Sequence, residues 1–309
     1  RPLNKNTVVL EVGKWDMIKI REDRKFEQNY FGNDMLTAES IYQNYVIPFP
    51  IEHLWKPPLG YFQKQSDEIR DMWKTRNYFQ RFVVGSLITK YAMSAQWIVD
   101  LASGRGADLK RYIDSGIKNA IFVDIDRVAL SELVDRKLSI AQTSRNNDRK
   151  TSGMRVYTHA HDLKDKADVI FSNIEKFGFK KGEADFVMMN FAIHYLCDKT
   201  ENIRNLAVLV NTILKKGGIF VFTVMSGQSV FNAIKDIKYS ESLRITENDV
   251  VKYEIKKLYK GTELTDVGQN IAVKLPFRDE LVEEPICNID HVVSVFEKKG
   301  FDLQDNSSF

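Results

Sequence analysis

A regular alternation of two kinds of segment between Gln96 and Met225 constrains the fold more than any other feature of this sequence. Short apolar segments rich in Val, Ile and Phe are typical of strands that are buried on both faces of a sheet. The segments between them have the spacing of amphipathic helices. This order predicts an α/β fold, in which helices cover both faces of a mostly parallel, doubly wound sheet. The predicted strands are "WIVDLA", "AIFVDID", "MRVYTHAHD", "EADFVMMNFAIHY" and "GGIFVFTVM".

The regions on either side of this alternation have different patterns. Residues 66–92 have helical spacing, and the sequence after about Val250 is rich in predicted strands and then offers the helix "NIDHVVSVFEKKG". Four of the seven prolines lie in "PFPIEHLWKPPLG", a stiff stretch that indicates a boundary. The predicted division is 1–62 for an N-terminal extension and 63–309 for the main domain.

The composition excludes several classes of protein. With 309 residues, 43% of them apolar, the chain can bury a full core and is not expected to be disordered. Its formal net charge is only +3, so contacts with a nucleic acid must come from local patches. Two cysteines predict a reduced intracellular protein rather than a disulfide scaffold. No apolar segment approaches the length of a membrane span, and no spacing typical of zinc ligands is present.

The segment "DLASGRGAD", residues 100–108, lies between the first predicted strand and the helix after it. Gly104 and Gly106 allow positive backbone φ angles and the close approach of a ligand to the N-terminus of that helix. A dinucleotide-binding turn has a third glycine, in the pattern G-x-G-x-x-G, and its absence here disfavours a nicotinamide-dependent dehydrogenase. An acid before the turn, in D-x-x-x-G-x-G, is typical instead of folds that bind S-adenosylmethionine. A carboxylate at Asp100 could hold the ammonium of the methionine part or orient the loop.

Polar residues are predicted at the carboxyl ends of successive strands, where ligands bind in doubly wound sheets. The first strand ends at Asp100, and the second ends about twenty residues later at Asp124, which could bind the two ribose hydroxyls. The third ends at Asp162 and Leu163, where the carboxylate can accept from the amino group of adenine and a backbone N–H can donate to the adenine ring. Each acid alone could be an ordinary loop carboxylate. Their occurrence at successive strand ends predicts a cofactor of adenosine type.

The segment "NFAIHY", residues 190–195, follows the fourth strand and has two interpretations. One is a core phenylalanine, a hydrogen-bonded histidine and a tyrosine at the rim. The other is a purine site, because the rings of Phe191 and Tyr195 can stack on a base and His194 can hydrogen-bond to its exocyclic groups. Arg105 and Arg136 also have two interpretations, a solvated helix face or a bidentate clamp on phosphates.

Four segments carry a resemblance to a known family, and they are "VDLASGRGADL", "FVDID", "NFAIHY" and "VEEPI". Together they resemble the mRNA cap guanine-N7 methyltransferases, and most closely the methyltransferase portion of capping enzymes of the poxvirus and African swine fever virus type. The resemblance implies a class I, Rossmann-like fold that uses S-adenosylmethionine. The implied cofactor-binding residues are Asp100, Ala102, Gly104, Gly106, Asp108, Asp124, Asp162, Leu163 and Asn190. The implied guanine-positioning residues are Phe191, His194, Tyr195 and Glu284, and the implied contacts to the cap phosphates are Arg105 and Arg136.

This sequence departs from the family pattern in two places. The family carries an asparagine and a lysine, as N-x-x-x-K, in the helix before the first strand, where they hold the methionine carboxylate. Here "RNYFQRFVVGS" lacks the lysine, and Arg76 or Arg81 could replace it. The tyrosine that closes over the cap in the family has no identifiable counterpart.

A second resemblance lies in residues 7–29. "WDMIKIREDRKFEQN" is similar to the final motif of the OB domain in RNA guanylyltransferases, a tryptophan followed by alternating basic residues. Because the first residue is Arg1 rather than Met, we expect a piece of a multifunctional capping enzyme. The implied partners are the GpppN end of capped mRNA and, in the same polypeptide, triphosphatase and guanylyltransferase domains. The implied location is the host cytoplasm, in the viral factory, and also the virion. The resemblance implies no membrane as a partner.

The implied reaction is an in-line displacement at a sulfonium methyl by guanine N7. Because N7 is unprotonated at neutral pH, no residue is assigned as a general acid or base, and the pocket residues act by positioning. Glu284 near the base edge would stabilise the positive charge that spreads onto the guanine. Two alternatives stay open: a methyltransferase of another RNA site or of a protein, and a catalytically silent methyltransferase fold that stimulates a partner.

Overall fold

The computed structural model describes residues 9–10, 78–146, 153–247, 250–275 and 280–306. The main sheet has six strands: β1 (Val9–Leu10), β2 (Trp97–Leu101), β3 (Asn119–Asp124), β4 (Arg155–Ala160), β5 (Ala184–Asn190) and β6 (Leu214–Thr223). Their order is β1-β4-β3-β2-β5-β6, with β2 to β6 parallel and β1 antiparallel to β4. The winding reverses at β2, which has β3 on one side and β5 on the other. The predicted doubly wound parallel sheet is therefore confirmed, and its switch point lies between β2 and β5.

Helices cover both faces of this sheet. They are α1 (Gly85–Ala92), α2 (Leu109–Asp114), α3 (Arg127–Asn146), α4 (Ala167–Ile174), α5 (Thr200–Ile213), α6 (Gly227–Ile234) and α7 (Ile289–Glu297), and a π-helical turn (Gln80–Val84) leads into α1. Successive residues of β2 point to opposite faces, so Ile98 packs with α1, α2 and α3 while Val99 packs with α4, α5 and α7. Each such fully buried aliphatic side chain contributes roughly 1.5–3 kcal/mol to folding.

A second sheet carries the C-terminal part of the chain. It consists of β7 (Ser242–Glu247), β8 (Val250–Lys257), β9 (Asn270–Lys274) and β10 (Val282–Pro285), in the antiparallel order β10-β9-β8-β7. Its apolar residues pack on α6 around Phe231 and Ile234. The edge strand β10 also packs against a 3-10 turn, Ile193–Leu196, that follows β5. This packing brings Glu284 of the small sheet to the carboxyl edge of the main sheet.

The structure differs from the sequence predictions in several elements. The fourth strand ends at Asn190, because Phe191 has φ +52° and a left-handed residue cannot continue a strand. The predicted helix "RVALSELVDRKLSIAQ" continues as α3 to Asn146, into "TSRNNDRKTSG", which its polar composition predicts as a loop, and α4 and α6 were not predicted. The small sheet begins at Ser242, before the predicted start of the strand-rich region. The proposed boundary at residue 62 lies outside the described residues, so the division into domains stays a prediction.

Within the described ranges, no helix is both long enough and apolar enough to cross a membrane.

Candidate functional site

A groove of about 2120 Å³ opens where the parallel strands end. Eight of the predicted cofactor residues line it: Asp100, Ala102, Gly104, Asp108, Asp124, Asp162, Leu163 and Asn190. The same groove is lined by all four predicted guanine-positioning residues and by both predicted phosphate contacts: Phe191, His194, Tyr195, Glu284, Arg105 and Arg136. Residues that are far apart in the sequence are therefore brought to one surface.

Three predicted cofactor residues do not line the groove. Gly106 lies behind it, where a Cβ would approach Leu133 Cγ to 2.6 Å. Arg81 is exposed on the π-helical turn and does not face the groove. Arg76 lies outside the described residues. The assignment of Arg76 or Arg81 to the methionine carboxylate stays a prediction without support from the geometry.

The glycine turn after β2 holds a strained backbone. Ala102 (φ +56°), Gly104 (φ +51°) and Gly106 (φ +63°) all adopt the left-handed region. Asp124, at the end of β3, fixes this turn because its Oδ2 accepts a hydrogen bond of 2.7 Å from the Gly104 backbone N–H. Its Oδ1 accepts a second bond, of 2.8 Å, from the Asp126 backbone N–H. Asp124 therefore shapes the loop as well as offering a carboxylate to the groove.

Asp100, the last but one residue of β2, is 5% exposed. Its Oδ2 accepts a hydrogen bond of 3.0 Å from the Tyr112 hydroxyl. Burial raises the pKa of Asp100 well above its usual range, and the nearby carboxylates of Asp108 and Asp124 raise it further. A cation placed beside Asp100 would compensate its buried charge and favour the charged form.

Asp108, at the start of α2, is the centre of a hydrogen-bond network. It accepts bonds from Arg111 Nη1 at 2.6 Å and from Asn190 Nδ2 at 3.2 Å, and the Gln80 side chain also bonds to it. Burial raises the pKa of Asp108, and these donors oppose the rise. Asn190 in turn accepts a hydrogen bond from the Thr223 hydroxyl on β6. The network fixes the ends of β5 and β6 to the start of α2.

Sequence reasoning missed Gln80. This buried side chain lines the groove, whereas the prediction had chosen the neighbouring Arg81. The π-helical turn changes which side chains face inward, and no sequence pattern indicated it.

The third strand ends beside a tight turn. Asp162 Oδ1 accepts a hydrogen bond of 2.9 Å from the Lys164 backbone N–H, and His161 Nε2 lies 3.1 Å from Asp165 Oδ2. Asp162 and Leu163 thus lie at the groove in a turn that the Asp162 carboxylate itself stabilises.

The other end of the groove is aromatic and contains one buried acid. The rings of His194 and Tyr195 have centroids 4.1 Å apart, and Phe191 packs against Phe79 with centroids 5.4 Å apart. His194 Nε2 lies 3.5 Å from Glu284 Oε2, and both side chains are almost buried. That His194 nitrogen has no hydrogen-bond partner among the residues the structure describes. A buried donor or acceptor without a partner is suited to a bond with a ligand.

The two arginines lie at the rim of the glycine turn. Arg105 Nε is 2.9 Å from Glu132 Oε2, and Arg136 Nη1 donates to the Gly106 carbonyl at 3.2 Å. Their role at phosphates stays a prediction. Across the described part of the chain, no three His, Cys, Asp or Glu side chains form a group that could hold a metal ion.

The model of the mRNA (guanine-N(7))-methyltransferase domain matches residues 54–285 of this chain. The chain belongs to this family. The mRNA-capping enzyme of African swine fever virus (strain Badajoz 1971 Vero-adapted) is 36% identical over 304 residues, which is 96% of this chain and 34% of that protein. The mRNA cap guanine-N(7) methyltransferase of Schizosaccharomyces pombe is 25% identical over 202 residues, 64% of this chain and 50% of that protein. The chain thus spans about a third of the length of the viral relative.

Two solved structures are similar at low identity. DesVI of Streptomyces venezuelae has a TM-score of 0.45 and 12% identity, with coverage of 79% of this chain and 93% of that one. The PH0226 protein of Pyrococcus horikoshii OT3 has a TM-score of 0.46 and 13% identity, with coverage of 81% and 90%.

The groove of this methyltransferase domain fits S-adenosylmethionine. Three buried carboxylates, Asp100, Asp108 and Asp124, lie at one end, and burial raises the pKa of each. A ligand that carries both an ammonium and a sulfonium would compensate this buried negative charge. The left-handed turn at Gly104 lets the ligand approach the backbone closely.

Proposed function

We propose that this chain transfers a methyl group from S-adenosylmethionine to N7 of the guanine cap of mRNA. The observation that carries the proposal is the continuity of one groove between two chemically different ends. One end has the three buried acids of the main sheet. The other has His194 and Tyr195 beside Glu284, which comes from the small sheet.

The reaction requires positioning rather than proton transfer. When bound, S-adenosylmethionine supplies a methyl group on a positively charged sulfur. Guanine N7 is unprotonated at neutral pH, so the chain needs no general base. Holding a nucleophile and a methyl group in line at contact distance lowers the barrier by several kcal/mol, on the order of 7–11 in the best cases.

The aromatic end suits guanine in particular. The Tyr195 ring offers a stacking surface, and His194 Nε2, which has no hydrogen-bond partner among the described residues, offers a hydrogen bond. Guanine carries N–H donors at N1 and N2, and the buried Glu284 carboxylate can accept from both. Adenine has no such pair of donors. As N7 gains the methyl group, the ring becomes positive, and the Glu284 charge stabilises that change in a site of low dielectric.

Contacts beyond the guanosine belong to the same proposal. Arg105 and Arg136 would bind the phosphates of the cap, because both line the groove beside the glycine turn. Since the viral relative is about three times as long as this chain, we also propose that triphosphatase and guanylyltransferase domains are joined to it. Its place of action would then be the host cytoplasm, in the viral factory, and the virion.

A methyl-transfer assay tests the function directly. The protein is incubated with labelled S-adenosylmethionine and with GpppA, ApppA or N7-methylated GpppA. We expect label in GpppA alone, because only GpppA offers a guanine with a free N7. Transfer to an internal RNA site or to a protein, without transfer to GpppA, would support another methyltransferase activity. Cofactor binding without any transfer would support a silent scaffold.

A further inference from the structure

Tyr112 places a hydroxyl group deep in the layer between the sheet and its helices. This residue of α2 is fully buried, and its ring packs on Phe122 with centroids 6.0 Å apart. Its hydroxyl donates to Asp100 Oδ2 at 3.0 Å and lies 3.3 Å from Met188 Sδ. A phenylalanine would fill the same space without burying a polar atom. The hydroxyl is therefore explained by its contact with Asp100 rather than by packing.

The three acids at this end of the groove are held in different ways. Asp124 accepts bonds from two backbone N–H groups, and Asp108 accepts bonds from Arg111, Asn190 and Gln80. In the described part of the chain, Tyr112 is the side chain that donates to the Asp100 carboxylate. Within the described ranges, Asp100 therefore depends on one side chain, that of Tyr112, for its orientation.

The charged and titratable groups around Asp100 come from two elements, α2 with its N-cap residue and the end of β3. Asp108 and Arg111 lie at the start of α2 and pair with each other. Tyr112 follows Arg111 in the same helix, and Asp124 is the last residue of β3. Burial and the two acids favour the neutral form of Asp100, and the hydroxyl bond favours the charged form. Burial and Asp100 also raise the pKa of Tyr112 well above its usual range, so the hydroxyl keeps its proton and remains a donor.

We propose that Tyr112 is a positioning residue whose hydroxyl holds Asp100 charged and directed into the groove, where Asp100 pairs with the cationic methionine end of the cofactor. This inference rests on the proposed function, because it requires S-adenosylmethionine in the groove. Protonation of Asp100 removes the pairing charge. Affinity for the cofactor therefore falls as the pH decreases, and Tyr112 sets the pH at which it falls.

The test compares Tyr112→Phe, Asp100→Asn and the double variant by calorimetry with S-adenosylhomocysteine, which keeps the methionine ammonium. Affinity is measured from about pH 5 to about pH 9, above the usual pKa of an aspartate. We expect Tyr112→Phe to weaken binding about tenfold near neutral pH. The acid limb of the profile, which is the fall of affinity at low pH, should shift to a pH about one unit higher. Asp100→Asn should weaken binding and abolish the acid limb. The double variant should bind like Asp100→Asn, because the hydroxyl acts through the carboxylate.

Two controls separate positioning from a structural effect. The ligand 5′-methylthioadenosine lacks the amino-acid part, so Tyr112→Phe should change its affinity by less than about twofold. Tyr259→Phe removes another buried hydroxyl, one outside the groove and without a hydrogen-bond partner in the described chain, and should leave the pH profile unchanged.

Equal losses for both ligands, or a further loss in the double variant, would overturn the proposal. If Tyr112→Phe does not fold, Asp100→Asn alone decides, because an acid limb that persists in this variant contradicts the proposal. If the wild-type protein binds neither ligand, the proposed function fails instead.

Discussion

The carboxylates at the acidic end of the groove and the imidazole at its aromatic end differ in how completely the protein satisfies them with hydrogen bonds. At the acidic end, Asp124 and Asp108 accept bonds from backbone and side-chain donors, and Tyr112 donates to Asp100. At the aromatic end, the buried His194 Nε2 has no partner in the described chain and stands 3.5 Å from Glu284. The three acids are oriented by the protein itself, whereas under the proposed function His194 would gain its hydrogen bond from the ligand. Substitutions should therefore affect folding at the first end and turnover at the second.

The largest expected effect is on turnover, at the aromatic end. Glu284→Gln keeps the shape of the side chain and removes its charge, so it should lower kcat on GpppA about 10²–10³-fold, the usual loss when a transition-state contact is removed. Affinity for S-adenosylhomocysteine and the Tm should stay at wild-type values. Glu283→Gln is the matched control, because Glu283 is exposed on the same strand and bonds to Asn270. Full turnover by Glu284→Gln would remove Glu284 from the site.

At the acidic end, a substitution of Asp124 should lower cofactor affinity and the Tm, the two quantities that Glu284→Gln leaves unchanged. Asp124→Ala leaves the ribose hydroxyls and the Gly104 N–H without an acceptor, at a cost of about 1–3 kcal/mol for each unpaired buried group. We expect weaker S-adenosylhomocysteine binding together with a lower Tm. Calorimetry and thermal melting measure the two effects on one sample. An unchanged dissociation constant would show that Asp124 serves the loop alone.

Tyr195 tests stacking separately from charge. Tyr195→Ala should raise KM for GpppA by the equivalent of about 1–3 kcal/mol, because a base loses its stacking surface. Tyr195→Phe keeps the ring and should behave nearly as wild type. Tyr239→Ala, at an exposed tyrosine away from the groove, provides the control. If Tyr195→Phe loses as much as Tyr195→Ala, the hydroxyl rather than the ring carries the contact.

The acidic end was more accessible to sequence reasoning than the aromatic end. The turn at Gly104 and the acids Asp100 and Asp124 are local consequences of strands that end at one edge, so alternation and glycine spacing predict their places. Glu284 lies in a different sheet, and only the resemblance to a family associated it with His194. Gln80 and Tyr112 were missed because a π-helical turn and one hydroxyl in a core layer leave no periodic signal.

Asp100 should make the unliganded protein less stable at neutral pH. Its pKa is raised in the folded state, so between the unfolded pKa, about 3.9, and the raised value, the unfolded chain releases the proton first. Stability from this group is full below the unfolded pKa and is lost as the pH rises through the folded one. Asp100→Asn should therefore raise the Tm of the unliganded protein at neutral pH, and raise it less in acid. Melting curves at both pH values measure this, and a destabilised Asp100→Asn at neutral pH would contradict it.

The smallest expected effect concerns the rim between the two ends. If Arg136 binds a cap phosphate, Arg136→Ala should lower the slope of log affinity against log salt by about 0.7, the value for one phosphate contact on a single strand. The control is Arg204→Ala, because Arg204 is exposed on α5 and pairs with Glu201. Arg136 also donates to the Gly106 carbonyl, so its loss could loosen the turn and weaken the cofactor end. Affinity for S-adenosylhomocysteine separates the cases: a wild-type value with a reduced salt slope assigns Arg136 to the cap. Weaker cofactor binding with an unchanged slope would instead make Arg136 a support of the acidic end.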